Sequence, residues 1–153
     1  MGEKIKASET YFGTQRAHAI GAEGLSGSME DYLEMIYRID TGGRAVRVRD
    51  LASSLGVSAS SASKMTASLR ERGLVNFEKY GYITLTESGR LAGEYLLHRH
   101  NVVNSFLCAL NGTENEISET EKIEHYLRRA TVENMEKWLK RTGRCPKTHQ
   151  EPF

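Results

Sequence analysis

The stretch Val48-Arg49-Asp50-Leu51-Ala52-Ser53-Ser54-Leu55-Gly56-Val57-Ser58, followed directly by Ala59-Ser60-Ser61-Ala62-Ser63-Lys64-Met65, decides how this chain folds. Leu51, Ala52 and Leu55 share one helical face, and Ala52 is small where two helices have to cross closely. Gly56 supplies the left-handed position of a tight turn, Val57 packs that turn, and Ser58 caps the helix that follows. Residue size and spacing agree at each step, which is the signature of a helix-turn-helix. The first short helix is predicted over 49–55 and the second from Ser58 to about Arg72, where Gly73 closes it.

Working outward, Leu74 to Lys79 alternates like a strand, Tyr80-Gly81 makes a turn, and Tyr82-Ile83-Thr84-Leu85 is a second strand. This hairpin is a wing. Upstream, Ser28 reads as an N-cap for a helix over 29–40, which Thr41-Gly42-Gly43 stops, and 45–48 is a short strand or an extended lead-in. Downstream, Thr86 caps a long helix that ends at Asn111-Gly112. Ser118 is expected to cap a helix to about Arg129, and Thr131 one to about Arg141. The fold class is mainly α with a small β-hairpin wing. Residues 1–27 form a Gly-, Ala- and Ser-rich flexible arm, 28–90 a winged helix-turn-helix, 91–142 an all-helical domain, and 143–153 a tail with both prolines.

The helix that starts at Ser58 would enter a major groove of double-stranded DNA. Its first turns are small and hydroxyl-rich, and its N-terminal amides can meet phosphate. Ser58, Ser60, Ser61, Ser63, Lys64 and Arg70, with Lys79 and Tyr80 near the wing tip, are the candidate DNA contacts. A solvated basic face, or a protein partner in place of DNA, is the plainer alternative.

Composition agrees. With 153 residues, 39% hydrophobic and 27% charged, the chain belongs with ordinary globular proteins. No stretch approaches the roughly 18 apolar residues of a membrane span, no secretory leader is visible, and two cysteines make no disulfide framework. A cytoplasmic protein with no membrane partner is expected. The overall charge of +1 conceals an asymmetry. Residues 44–90 hold eight basic and four acidic side chains, netting +4, and residues 111–136 hold seven Glu against Lys122, Arg128 and Arg129, netting −4. The basic half suits a polyanion and the acidic half suits cations.

Three separated segments carry ligand chemistry. Asp31 and Glu34 lie three apart on the first helix, so both point off one face, and Glu121, Glu124 and His125 stand at i, i+3 and i+4, so all three are expected to cluster on one face of their helix. His100 lies on the long helix between them. Oxygen and nitrogen donors without thiolate favour Mn2+, Fe2+ or Zn2+ over Cu+. Each residue also has a bland role. Asp31 could help cap its helix, Glu34 could pair with Arg38, Glu121 could be solvated, Glu124 could pair with Arg128, and His100 could be a core histidine. His98 lies on another helix face, and Cys145 and His149 stand alone in the tail; none of the three is taken as a ligand.

The strings Ser28-Met29-Glu30-Asp31-Tyr32-Leu33-Glu34-Met35-Ile36-Tyr37, the helix-turn-helix, Arg99-His100 and Glu121-Lys122-Ile123-Glu124-His125 resemble the diphtheria toxin repressor family, in its manganese transport regulator branch. The likeness runs from about Ser28 to Leu139. It implies a homodimeric, metal-dependent repressor of divalent-metal uptake genes, without enzyme activity or organic cofactor. Dimer contacts would fall between about Arg90 and Leu110 and on the C-terminal helices. By motif, the metal ligands are Asp31, Glu34, His100, Glu121, Glu124 and His125, holding two Mn2+ per chain. The iron branch carries Met and Cys at the positions of Asp31 and Glu121; carboxylates there suit the harder Mn2+, although Zn2+ or Fe2+ remains an alternative. The iron branch also carries a third, SH3-like domain, which a chain of this length is expected to lack. Two rival readings stay open: a dinuclear metalloenzyme, and a winged-helix regulator that answers to an organic ligand or to thiol oxidation.

Overall fold

The first described helix opens at a hydroxyl. The computed structural model describes residues 24–78 and 81–144, so Lys79, Tyr80, Cys145, His149 and most of the predicted arm lie outside the described residues. Helix α1 is Gly27–Thr41, and its N-cap is Ser26, whose Oγ accepts from Met29 N at 3.3 Å. The cap expected at Ser28 therefore sits two residues earlier. Ser26 offers the same hydroxyl cap, and Gly27 in the first turn lies against the ring of His125.

Strand β1 (Val46–Arg47) leads into α2 (Val48–Leu55), which ends at Gly56 in the left-handed region, φ 63°. Helix α3 (Ala59–Glu71) begins at Ser58, whose Oγ accepts from Ser61 N at 3.1 Å. Ala52 and Ala62 are both buried, as a close crossing of α2 and α3 requires. Strands β2 (Val75–Phe77) and β3 (Tyr82–Leu85) make the wing. The expected hairpin is part of a three-stranded antiparallel sheet in the order β1-β3-β2, with Val46 opposite Ile83 and Val75 opposite Leu85.

Helix α4 (Glu87–Asn111) spans the molecule. Thr86 ties its start to the wing: its Oγ1 accepts from Gly89 N at 3.0 Å and donates to Gly73 O at 2.7 Å. Gly93 permits the crossing with α1, because a Cβ there would stand 2.6 Å from Tyr37 Cβ. Two cores are threaded on α4. Ala92 and Leu96 join Leu33, Ile36, Leu51, Leu69, Leu74 and Ile83 in the first. Val102, Val103 and Leu107 join Val132 and Leu139 in the second, where Phe106 meets Trp138 edge to face at 5.3 Å. Full burial of each such side chain contributes about 1.5–3 kcal/mol. Between Leu96 and Val102 the buried face of α4 turns polar, with Arg99, His100 and Asn101.

The last third differs from the sequence expectation. Helix α5 is Ile117–Ile123, with Glu116 rather than Ser118 at the N-cap. It stops well short of Arg129. Glu124–Tyr126 form a 3-10 turn, Leu127 is extended, and α6 (Arg129–Arg141) starts two residues before Thr131. At this break Glu124 turns inward, with its Oε1 3.2 Å from His100 Nδ1.

Candidate metal centre

The polar interval of α4 meets side chains from both ends of the fold. Glu34 comes from α1, His100 from α4 and Glu124 from the 3-10 turn, and one ligand atom of each lies within 4.8 Å of the other two. All three are at least nine-tenths buried, with exposures of 8%, 5% and 2%. His100 Nδ1 is 3.2 Å from Glu124 Oε1. Arg38 donates to Glu34 Oε1 from Nε at 2.9 Å and from Nη2 at 2.6 Å, so the local i, i+4 pair also forms.

Beside this triad lies a second group. His125 Nε2 is 3.1 Å from Asp31 Oδ1, and His125 Nδ1 is 2.7 Å from Glu30 Oε2. Arg99 Nη2 donates to that same Glu30 oxygen at 2.7 Å, and Arg99 Nε lies 3.7 Å from Glu124 Oε2. Glu121 is exposed on α5, outside the buried triad. The structure therefore brings Glu34, His100 and Glu124 together, pairs Asp31 with His125, and leaves Glu121 at the rim. Glu121 lies in α5, and Glu124 and His125 lie in the 3-10 turn that follows it, so the three do not share one regular α-helix. Nor does Glu124 pair with Arg128; its partners are His100 and Arg99. His98, given no role in the sequence, pairs with Glu136 at 3.4 Å.

The electrostatics are those of crowded carboxylates. Burial first, then the charge of Glu124, raises the Glu34 carboxyl above its ordinary 4.5 against the opposing effects of Arg38 and His100. Burial, with the charges of Glu124, Glu30 and Glu121, raises Asp31 against the opposing charge of His125. For His100 burial is the largest influence and lowers the value. The hydrogen bond and charge of Glu124, helped by Glu34, outweigh it, and the net shift is upward from 6.5. The donor set fits a divalent cation: hard oxygens and imidazole nitrogen converge, and buried Glu124 Oε2 has no hydrogen-bond partner.

Sequence reasoning gave no role to Glu30 or Arg99. Both adjoin ligand candidates in the chain, but Glu30 meets its partners 69 and 95 residues away, and no periodicity signals that.

In the winged helix, Ser58, the cap of α3, and Ser60, Ser61, Ser63, Lys64 and Arg70 along it are exposed. The Ser58 hydroxyl is engaged by the cap and donates to Ser61 Oγ at 2.9 Å, and Arg70 stacks over Phe77 of the wing at 5.3 Å.

A winged helix whose long helix leads from the wing into a buried cluster of carboxylates and imidazole able to hold a cation is the architecture of a metal-dependent DNA-binding regulator. Residues 24–83 match the family described as iron dependent repressor, N-terminal DNA binding domain, and residues 86–153 match the iron dependent repressor metal binding and dimerisation domain. The chain belongs to this family, that of the diphtheria toxin repressor; its members described here are repressors, not enzymes. It is 39% identical over 101 residues to the HTH-type transcriptional regulator MntR of Lysinibacillus sphaericus, covering 65% of this chain and 73% of that protein. Among solved structures, the manganese regulator SloR superposes with a TM-score of 0.66 at 27% identity, covering 73% of this chain. ScaR with bound Zn2+ superposes with a TM-score of 0.64 at 26% identity, covering 77% of this chain. This chain spans 53% and 56% of those two chains.

Proposed function

We propose that this protein is a Mn2+-responsive repressor that binds a double-stranded operator as a homodimer in the cytoplasm and controls divalent-metal uptake genes. The observation that supports this reading best is the convergence of Glu34, His100 and Glu124, because it joins the DNA-binding half to the helical half. Asp31, His125 and Glu121 complete a six-residue ligand set for two ions per chain. A divalent ion held there would neutralise carboxylates that otherwise repel one another. Glu34 is part of α1, against which α2 and α3 pack, and His100 and Glu124 belong to the other half. Fixing one against the other fixes the attitude of α3, and across a dimer it sets the spacing of two recognition helices, which has to match successive major grooves. Dimer contacts are assigned to α4 and the C-terminal helices; Leu110, 66% exposed, is the large apolar side chain at the end of α4. Metal and operator then favour the same ordered state and raise each other's affinity, with a coupling of about 1–3 kcal/mol typical of such systems.

Manganese is favoured by the carboxylates at positions 31 and 121 and by the MntR and SloR relatives. Zinc is the second reading, since ScaR holds Zn2+. Calorimetric titration of the chelator-treated chain with Mn2+, Zn2+ and Fe2+ tests both. The proposal expects about two ions per chain and a loss of affinity in Asp31→Ala with the fold retained. An unchanged affinity in Asp31→Ala would remove that residue from the ligand set.

A further inference from the structure

Both ring nitrogens of His125 are in contact with side chains, and the two contacts differ in kind. Nε2 faces Asp31, itself a ligand candidate, at 3.1 Å. Nδ1 faces Glu30 Oε2 at 2.7 Å and Arg99 Nη2 at 3.2 Å, and Glu30 is not a ligand candidate. A guanidinium only donates, so Arg99 and a protonated Nδ1 have no hydrogen bond to share. A bare Nδ1 would point its lone pair at a carboxylate oxygen only 2.7 Å away. The shorter contact decides: Nδ1 carries the proton and donates it to Glu30 Oε2, whose other lone pair accepts from Arg99 at 2.7 Å. Arg99 is itself buried, 4% exposed, and sits one residue before His100 on the same rigid helix. Gly27 closes the cradle. A Cβ at that position would press on His125 Cγ from 3.3 Å, so the ring lies flush against the first turn of α1.

We infer that Glu30, anchored by Arg99, is the positioning residue that fixes the His125 ring with Nε2 presented to the metal centre. The inference rests on the metal-centre reading above. A ligating histidine needs its other N–H held so that tautomer and ring direction are set before metal arrives. Here the holder is carried by α1, the helix that also supplies Asp31 and Glu34. The carboxylate that orients His125 therefore moves with the DNA-binding half, and the ring is correctly presented only when the two halves are docked.

Side-chain 15N NMR of the full-length, metal-free chain, at a pH where the imidazole is neutral, tests the tautomer directly. The wild type is expected to show His125 with its proton on Nδ1. Glu30→Ala should move the proton toward Nε2 or give a mixture, and Glu30→Gln should retain it, because the amide oxygen still accepts. Cd2+ titration of the same three proteins should show a loss of about 10–100-fold in Glu30→Ala, largely rescued in Glu30→Gln. A proton on Nε2 in the wild type, or a tautomer indifferent to Glu30→Ala, overturns the inference. So does an equal loss in both variants, which would make Glu30 a ligand through its charge. If Cd2+ does not bind the wild type at all, the metal-centre reading falls and takes this inference with it. If Cd2+ binds while the tautomer ignores Glu30, the inference alone falls.

Discussion

Arg38 holds Glu34 Oε1 with two nitrogens, and that makes it a competitor for a cation at the site. Both side chains of the pair are largely buried, at 15% and 11% exposed, so breaking it leaves an uncompensated carboxylate. Arg38→Ala is therefore predicted to have two opposite effects. The metal-free chain should lose about 3 kcal/mol, the usual cost of removing one partner of a buried pair. Metal affinity should rise several-fold, because a fixed positive charge no longer opposes the ion. Denaturant melts in chelator and calorimetry with Mn2+ read the two effects separately. His100 gives a pH prediction of definite sign. Its folded pKa is raised above 6.5, so its contribution to the stability of the metal-free chain is present below 6.5 and is lost as pH rises through the folded value. Metal needs the neutral ring, so metal affinity runs the other way and falls as pH drops through that same raised value. Melts at several pH values, with chelator and with Mn2+, should slope in opposite directions. At this scale the sequence revealed what is local: the Glu34–Arg38 pair is four residues apart and follows from helical spacing. The Glu30–Arg99–His125 group is assembled from three elements, and nothing in any one of them announces the other two.

Helix α4 is the element on which the two cores and the polar cluster are strung. Its buried face is apolar at Leu96 and again at Val102, and the polar interval between them is where α1 and the 3-10 turn converge. The closeness of α1 and α4 depends on Gly93, two turns before His100, packed on Tyr37, one turn after Glu34. Gly93→Ala should push the helices apart. Since helix propensity favours alanine, the chain should stay helical by circular dichroism while metal affinity falls at least tenfold. Retained affinity would show that the site tolerates a wider crossing than this geometry implies. The elements that the sequence placed well are those fixed by their own ends: α2 by Gly56, α3 by Ser58, α4 by Thr86 and Gly112. Helix α1 starts earlier than expected because Ser26, not Ser28, caps it, and its first turn then lies against His125. Helix α5 ends earlier than expected where Glu124 meets His100, a contact between elements that periodicity does not signal.

For the whole molecule, the charge asymmetry of the sequence is only partly a division of space. The exposed serines, Lys64 and Arg70 of α3 lie in the segment that nets +4; of the crowded carboxylates, Glu121 and Glu124 come from the segment that nets −4, while Glu30, Asp31 and Glu34 come from α1. Among the described residues, α4, the Glu34–His100–Glu124 junction and the contacts of His125 with Glu30 and Asp31 join the DNA-binding half to the helical half. Among the described residues no helix is long and apolar enough to cross a membrane. Phosphate contacts alone would give DNA binding that responds to salt but not to metal. The junction is what should add the metal response. The most direct measurement is the affinity of the full chain for the DNA upstream of its own transcription unit, at one fixed salt concentration, in Mn2+ and in chelator, for the wild type and for Glu34→Ala. The account predicts at least tenfold tighter binding in Mn2+, about 1.4 kcal/mol, and no such gain in Glu34→Ala. Equal binding in Mn2+ and chelator would contradict it, leaving the buried carboxylates and imidazoles as structural ion pairs in a winged-helix protein that answers to something else.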